Sequence, residues 1–114
     1  MINSRQKGAA GERELAALLR FYGYDARRGQ QYSGGGDSPD VVCQPLKDFH
    51  FECKRVEAGN PYNWMKQAQR DAGNKVPVVM HRRNQESWLA ILPAGLFLEL
   101  LRKAGYRPDE ITHD

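Results

Sequence analysis

The sequence has little cysteine and no long hydrophobic run. Its two cysteines, Cys43 and Cys53, occur in no CxxC pair and in no His/Cys ligand spacing, which argues against a structural zinc site and favours two small buried thiols. The three histidines are too scattered to predict a metal cluster. No apolar stretch approaches the length of a membrane span, and the first residues lack the apolar segment of a secretory signal, so we expect a cytoplasmic protein.

Neither the composition nor the charge is extreme. The chain has 114 residues, of which 40% are hydrophobic and 27% are charged, as in an ordinary globular protein. This length suits one compact unit, and we predict a single domain over residues 1–106 followed by a polar tail over residues 107–114. The net charge of +3 is compatible with a polyanionic partner but does not by itself indicate nucleic acid.

Periodicity predicts helices and strands in alternation. Leucines recur at helical spacing in a first helix from about Ser4 to Tyr22, and prolines suited to a first helical turn begin two further helices at Pro61 and Pro93. The predicted strands lie in "YDARRG", "PDVVC", "DFHFECKRV", "VPVVMHR" and "SWLAIL", the last two as a hairpin. This order predicts an α/β fold with a single mixed sheet of about five strands, flanked by helices.

The segment "DFHFECK" places charged residues beside apolar ones. A strand period of two directs Phe51 to one face and Glu52 to the other, together with Lys54. Taken alone, this pattern is best explained by a half-exposed strand with an outward polar face. Asp40 starts the preceding strand, and the short turn "QPLKD" is expected to pair the two strands antiparallel, with Asp40 across from Glu52.

Glu12 brings a further carboxylate to this region. It lies three positions before Leu15, on the apolar stripe of the first helix, where a carboxylate requires a partner. Carboxylates gathered in one place repel each other, and a divalent cation relieves that repulsion. Magnesium prefers the hard oxygens that Glu12, Asp40 and Glu52 offer. Lys54 beside them can orient or deprotonate a water, or stabilise charge that develops on phosphorus.

Two sequence patterns resemble known nucleases. Asp40 after a proline, followed after eleven intervening residues by Glu52, Cys53 and Lys54, resembles the PD-(D/E)xK nuclease motif. The stretch "KGAAGERELAALLRFYGYDARR" is similar to the opening helix of archaeal and phage Holliday junction resolvases within that superfamily, and "VPVVMHRRNQESWLAIL" is similar to their later hairpin. The resemblance implies a restriction-endonuclease-like fold and a metal-dependent endonuclease that hydrolyses phosphodiester bonds in branched DNA. It implies foremost a Holliday junction resolvase of DNA recombination and repair, in the host cytoplasm if it is viral.

The resemblance also implies roles for individual residues. Asp40, Glu52 and Glu12 would bind the metal, with the backbone carbonyl of Cys53 as a further ligand, and Lys54 would be the catalytic lysine. The metal would be Mg²⁺, for which Mn²⁺ can substitute.

Further roles concern the second helix and the DNA. Many nucleases of this superfamily have a glutamine on that helix facing the site, and of Gln67 and Gln69 the preference here is for Gln69. Contacts to the DNA backbone are expected from basic residues and from a serine in the glycine-rich loop, with Ser38 as an alternative serine; these are Arg13, Arg27 or Arg28, Lys47 and Ser33.

Other functions stay open at this stage. A related nuclease of replication-repair or restriction type, which acts on flap, end or duplex DNA, would share all of these catalytic residues. A catalytically inert DNA-binding module would keep the fold, but it would have no chemical reason to retain Asp40, Glu52 and Lys54 together.

The predicted strand "SWLAIL" bears on the oligomeric state. It is apolar at almost every position, so both of its faces need to be covered. A chain this small is not expected to cover them alone, which favours a homodimer. The resemblance implies the same state, because a four-way junction presents two strands related by a two-fold axis.

Overall fold

The computed structural model describes residues 4–29 and 41–108. Within these ranges the helices and strands follow in the α/β order that the sequence predicts. They are α1 (Ser4–Phe21), β1 (Ala26–Arg28), β2 (Val41–Cys43), β3 (Phe49–Lys54), α2 (Pro61–Ala72), β4 (Val76–His81), β5 (Leu89–Ile91) and α3 (Ala94–Lys103).

The strands of the described residues form two sheets rather than the single sheet predicted. β1 pairs antiparallel with β2, while β3, β4 and β5 form a separate sheet in that order. The predicted antiparallel pairing of β2 with β3 is therefore wrong. Its cause is local, because a 3₁₀ turn over Gln44–Leu46, which contains Pro45, follows β2 directly and redirects the chain before β3 begins. The predicted hairpin of β4 and β5 is confirmed, since these two strands are antiparallel neighbours.

α2 connects two parallel neighbours, β3 and β4. It begins at Pro61, and the side chain of Asn60 caps it by accepting hydrogen bonds from the backbone N–H groups of Tyr62 and Asn63. Gly73, with a positive φ of 58°, follows its last turn. As the crossover between β3 and β4, α2 packs against both of these strands.

The two faces of the β3–β4–β5 sheet differ in chemistry. On one face, α1 and the β1–β2 pair form the main core, in which Leu15 and Phe51 are buried. On the other face, α2 packs through the buried Ala68 and Ala72, and β4 contributes the fully buried Val79. Because strand side chains alternate between faces, the face of β3 under α2 carries its polar residues, which are His50, Glu52 and Lys54.

The C-terminal strand and helix are largely uncovered. Leu89 in β5 is 59% exposed, and α3 contains no buried residue. Phe97 and Leu98 of α3 are both at least half exposed. Within the described residues, one chain therefore leaves the "SWLAIL" strand partly uncovered, as expected for a chain of this size. In the described part of the chain, no helix combines the length and the apolar character that a membrane span needs.

Candidate active site

Glu12 is held beside β3 by a close approach of α1. At the preceding residue, Gly11, a Cβ atom would lie 2.4 Å from the Cβ of Arg55 and 3.5 Å from the Sγ of Cys53. A glycine therefore permits a contact that any side chain would prevent. Glu12 is only 6% exposed, which confirms that it lies on the buried stripe of α1.

An ion-pair group that the sequence did not reveal fixes α1 in this position. Oε1 of Glu14 accepts a hydrogen bond from Nε of Arg55 at 3.1 Å, and a second one from Nη1 of Arg82. Arg55 follows β3 and Arg82 follows β4, so one carboxylate ties α1 to the ends of both strands. Glu12 lies two residues before Glu14, so the ion pairs of Glu14 also hold Glu12 beside β3.

The environment of Glu12 fits a metal ligand. Nε of Arg28, on β1, lies 3.5 Å from Oε1 of Glu12, and among the described residues this buried oxygen has no hydrogen-bond donor. Burial raises the pKa of the Glu12 carboxyl, and this effect outweighs the lowering by the Arg28 guanidinium. Glu52 raises the same pKa further, so the two carboxylates lie close enough to repel. A divalent cation with a preference for oxygen ligands satisfies such a pair.

Glu52 is buried in the middle of β3. It is 4% exposed, and its Oε1 lies 3.2 Å from Nε2 of His50, which is itself 7% exposed. The simpler explanation of this strand, an outward polar face, is therefore wrong. Burial of a carboxylate costs free energy unless it is compensated, so a packing role alone does not account for Glu52.

Lys54 is held by a glutamine of α2. Its Nζ donates a hydrogen bond of 2.8 Å to Oε1 of Gln67. Gln69, the glutamine preferred from the sequence pattern, lines a groove with Met65 and Ile91. Residues two apart on an α-helix are rotated by about 200°, so only one of the two glutamines can face β3. Gln67, and not Gln69, is therefore the glutamine that lies beside Lys54, while a catalytic role for either glutamine stays a prediction.

The direction of the Cys53 carbonyl follows from the β3–β4 ladder. The N–H groups of Val76 and Arg82 donate to the carbonyls of Asp48 and Lys54. In a parallel ladder this direction alternates along the strand, so the Cys53 carbonyl points away from β4. That edge of β3 is the one next to β2. The orientation is compatible with the predicted carbonyl ligand, whose role stays a prediction.

The remaining predicted residues divide into two groups. Asp40, Ser33 and the alternative Ser38 lie outside the described residues. Of the residues expected to contact the DNA backbone, Arg28 is already engaged with Glu12, while the others have exposed side chains: Arg13, Arg27 and Lys47. Arg13 and Arg27 directly adjoin Glu12 and Arg28 in the sequence, which places two exposed cations close to the buried carboxylates.

His50 and Asp71 belong to this region but were not predicted. One ligand atom from each of His50, Glu52 and Asp71 lies within 4.8 Å of the other two, so one histidine and two carboxylates are grouped closely enough to hold a metal ion. The signal for His50 was present, because strand alternation places it on the face of Glu52. Asp71 lies four residues after Gln67 on α2, a spacing that puts both on one side of the helix.

Comparison with known proteins agrees with this chemistry. The sequence profile of a family described as "Phage putative PDDEXK endonuclease" matches residues 3–112. No curated protein and no solved structure matches the chain. The profile match supports the PD-(D/E)xK superfamily and does not extend to the resolvases. Because the match spans nearly the whole sequence, the chain belongs to the phage PDDEXK endonuclease family, whose chemistry is that of a PD-(D/E)xK nuclease.

Proposed function

We propose that the protein is a Mg²⁺-dependent endonuclease of branched DNA, with the Holliday junction as its preferred substrate. The observation that carries the catalytic part is that Glu12 and Glu52 are both buried and close enough for Glu52 to raise the pKa of Glu12, with Lys54 on the same strand as Glu52. The junction preference is supported by the resemblance of α1 and of the β4–β5 hairpin to resolvases. It is also supported by the exposed apolar side chains of β5 and α3, which suit the interface of a two-fold dimer.

The chemistry of the proposed ligands indicates which metal ion the site would bind. Glu12, Glu52 and the carbonyl of Cys53 would hold the ion together with Asp40, and all of these donors are hard oxygens, which suit Mg²⁺ and also Mn²⁺. When bound, such an ion polarises the phosphate and lowers the pKa of an attacking water. Arg28 keeps the Glu12 carboxylate at the site through their ion pair.

Lys54 supplies positive charge next to the carboxylates. Its hydrogen bond to Gln67 fixes the ammonium in place and leaves two of its three N–H donors for a water or a phosphate oxygen. A preorganised donor of this kind stabilises the charge that develops on phosphorus. The exposed cations beside the site, Arg13 and Arg27, would bind the DNA backbone and so set the register of the substrate.

A cleavage assay on defined DNAs tests this function. The substrates are a four-way junction, a flap, a linear duplex and a single strand of matched sequence, each with Mg²⁺ and with EDTA. We expect paired, symmetric nicks in the junction with Mg²⁺, and little cleavage of the other DNAs. Equal or faster cleavage of flap or duplex DNA would assign the protein to the replication-repair or restriction type instead.

The dimer is part of the same proposal. β5 and α3 expose Leu89, Phe97 and Leu98, and a second copy related by a two-fold axis would cover this surface in both chains. We expect Leu98→Lys to convert the dimer to a monomer in light scattering after gel filtration. Phe21→Lys is the matched control, because Phe21 is 83% exposed at the end of α1, far along the chain from this surface. A monomeric wild-type protein at micromolar concentration would contradict the dimer.

A further inference from the structure

We propose that His50, Glu52 and Asp71 form a second cation site, on the α2 side of β3, which takes a transition-metal dication of the Zn²⁺ class. The site goes beyond the proposed nuclease function. It shares Glu52 with the proposed Mg²⁺ site, but the binding of its ion requires neither DNA nor cleavage.

The geometry of the three side chains is that of a partly assembled metal site. Their ligand atoms lie within 4.8 Å of one another, and Nε2 of His50 is 3.2 Å from Oε1 of Glu52. Two ligands about 2.1 Å from one ion are about 3.0–3.4 Å apart in octahedral or tetrahedral geometry, so these two atoms are already spaced as neighbouring ligands. The ion would take the place of the direct contact between these two atoms, with both of them as its ligands.

The third donor comes from the element that covers β3. Asp71 lies on the last turn of α2, and its side chain is exposed, so it can move the short distance needed to close the site. His50 and Glu52 are more than nine-tenths buried and are held by the sheet. Two fixed donors and one adjustable donor leave an open position for water, as in three-ligand zinc sites.

The chemistry of the donors separates this site from the one at Glu12. Glu12, Glu52 and a backbone carbonyl offer oxygen only, which suits Mg²⁺. An imidazole nitrogen with two carboxylates favours a softer ion, since imidazole is a good ligand for zinc and a poor one for magnesium. Glu52 lies between the two sets, with Oε1 directed to His50.

Nitrogen NMR of the histidine rings tests the site directly. Metal-free, ¹⁵N-labelled protein comprising residues 1–114 is titrated with Zn²⁺ in the absence of DNA, and the imidazole resonances of its three histidines are followed. We expect the Nε2 resonance of His50 to shift with one equivalent of Zn²⁺, while the ring of His81, whose Nε2 contacts the carbonyl of Val56, does not respond. The His50→Gln variant assigns the resonance.

Two variants separate this site from other sources of zinc affinity. Asp71→Asn changes only an exposed side chain, and we expect it to weaken Zn²⁺ binding at His50 by about tenfold or more. Asp48→Asn, an exposed aspartate just before β3, is the matched control and should leave the titration unchanged. Glu12→Gln should also preserve the His50 shift.

Three results would overturn the proposal. They are a His50 ring that does not respond to Zn²⁺, equal affinity in Asp71→Asn and wild type, and loss of the His50 shift in Glu12→Gln. None of them bears on cleavage with Mg²⁺, so failure of this site and failure of the nuclease proposal are distinguishable.

Discussion

The two faces of β3 are buried to nearly the same extent but carry opposite chemistry. Phe51, towards α1, is 8% exposed, and Glu52, towards α2, is 4% exposed. Burial of an aromatic side chain stabilises the fold by roughly 1.5–3 kcal/mol, whereas burial of a carboxylate costs free energy. Under the proposed function, adjacent residues of one strand divide two tasks, with stability on one face and chemistry on the other.

The largest effect is expected when the polar face loses its carboxylate. Glu52→Gln keeps the size of the side chain but removes a proposed metal ligand and the charge that needs compensation. We expect cleavage with Mg²⁺ to fall by at least about 100-fold, since even partners outside the ligand shell contribute 10- to 100-fold. DNA binding, which depends mainly on contacts to phosphate, should be retained in a gel-shift assay. Full activity of this variant would remove Glu52 from the site.

The apolar face should respond in the opposite way. Phe51→Ala deletes a buried ring from the main core, and we expect the free energy of unfolding to fall by about 3 kcal/mol. Urea denaturation measures this loss, and Glu52→Gln serves as the comparison with little or no loss. If the two variants lose similar stability, the division of tasks between the two faces is wrong.

Local patterns were enough to predict the helices and strands. Strand alternation in "FHFECK" and helical spacing in α1 depend on neighbouring residues, and both placed Glu12 and Glu52 correctly on their elements. The pairing of β2 depends on distant partners and on the turn at Pro45, and no local pattern encoded it. The sheet was therefore predicted as one when the strands form two.

The sequence pattern also did not predict which face of α2 packs against the sheet. The buried residues of this helix are Ala68 and Ala72, whereas the larger Met65 lines a groove. Small side chains set its rotation because α2 lies close against the sheet. This rotation brings Gln67 to Lys54 and Asp71 towards His50.

A smaller effect tests the role of Gln67 on the polar face. Gln67→Leu removes the acceptor that holds the Lys54 ammonium, and we expect kcat for cleavage to fall about tenfold with little change in Mg²⁺ affinity. Gln69→Leu, two residues away on the same helix, should leave kcat unchanged. Equal effects of the two variants would mean that α2 contributes to activity only through its packing.

The smallest expected effect is on the free energy of unfolding, and it comes from the burial of the Glu12 carboxylate. Burial raises the pKa of Glu12 above the ordinary value of 4.5, so the folded protein takes up a proton more readily than the unfolded chain. The protonated Glu12 carboxyl therefore favours the folded state. Its contribution to the free energy of unfolding is complete below the pKa that Glu12 has in the unfolded chain, and it is lost as the pH rises through the pKa that Glu12 has in the folded protein. Glu12→Gln stays neutral and avoids this loss. In EDTA, we therefore expect the variant to be more stable than wild type at pH 7, with the difference vanishing near about pH 4.

Urea denaturation across this pH range measures the difference, with Glu99→Gln on α3 as a matched control that should follow wild type. Addition of Mg²⁺ should reverse the order at pH 7, because a ligand that binds only the folded state stabilises it, and only the carboxylate of the wild type contributes its charge to that binding. A variant less stable than wild type in EDTA at pH 7 would show that the attraction of Arg28 outweighs burial. The buried Glu12 carboxylate would then be compensated within the protein, without need of a metal.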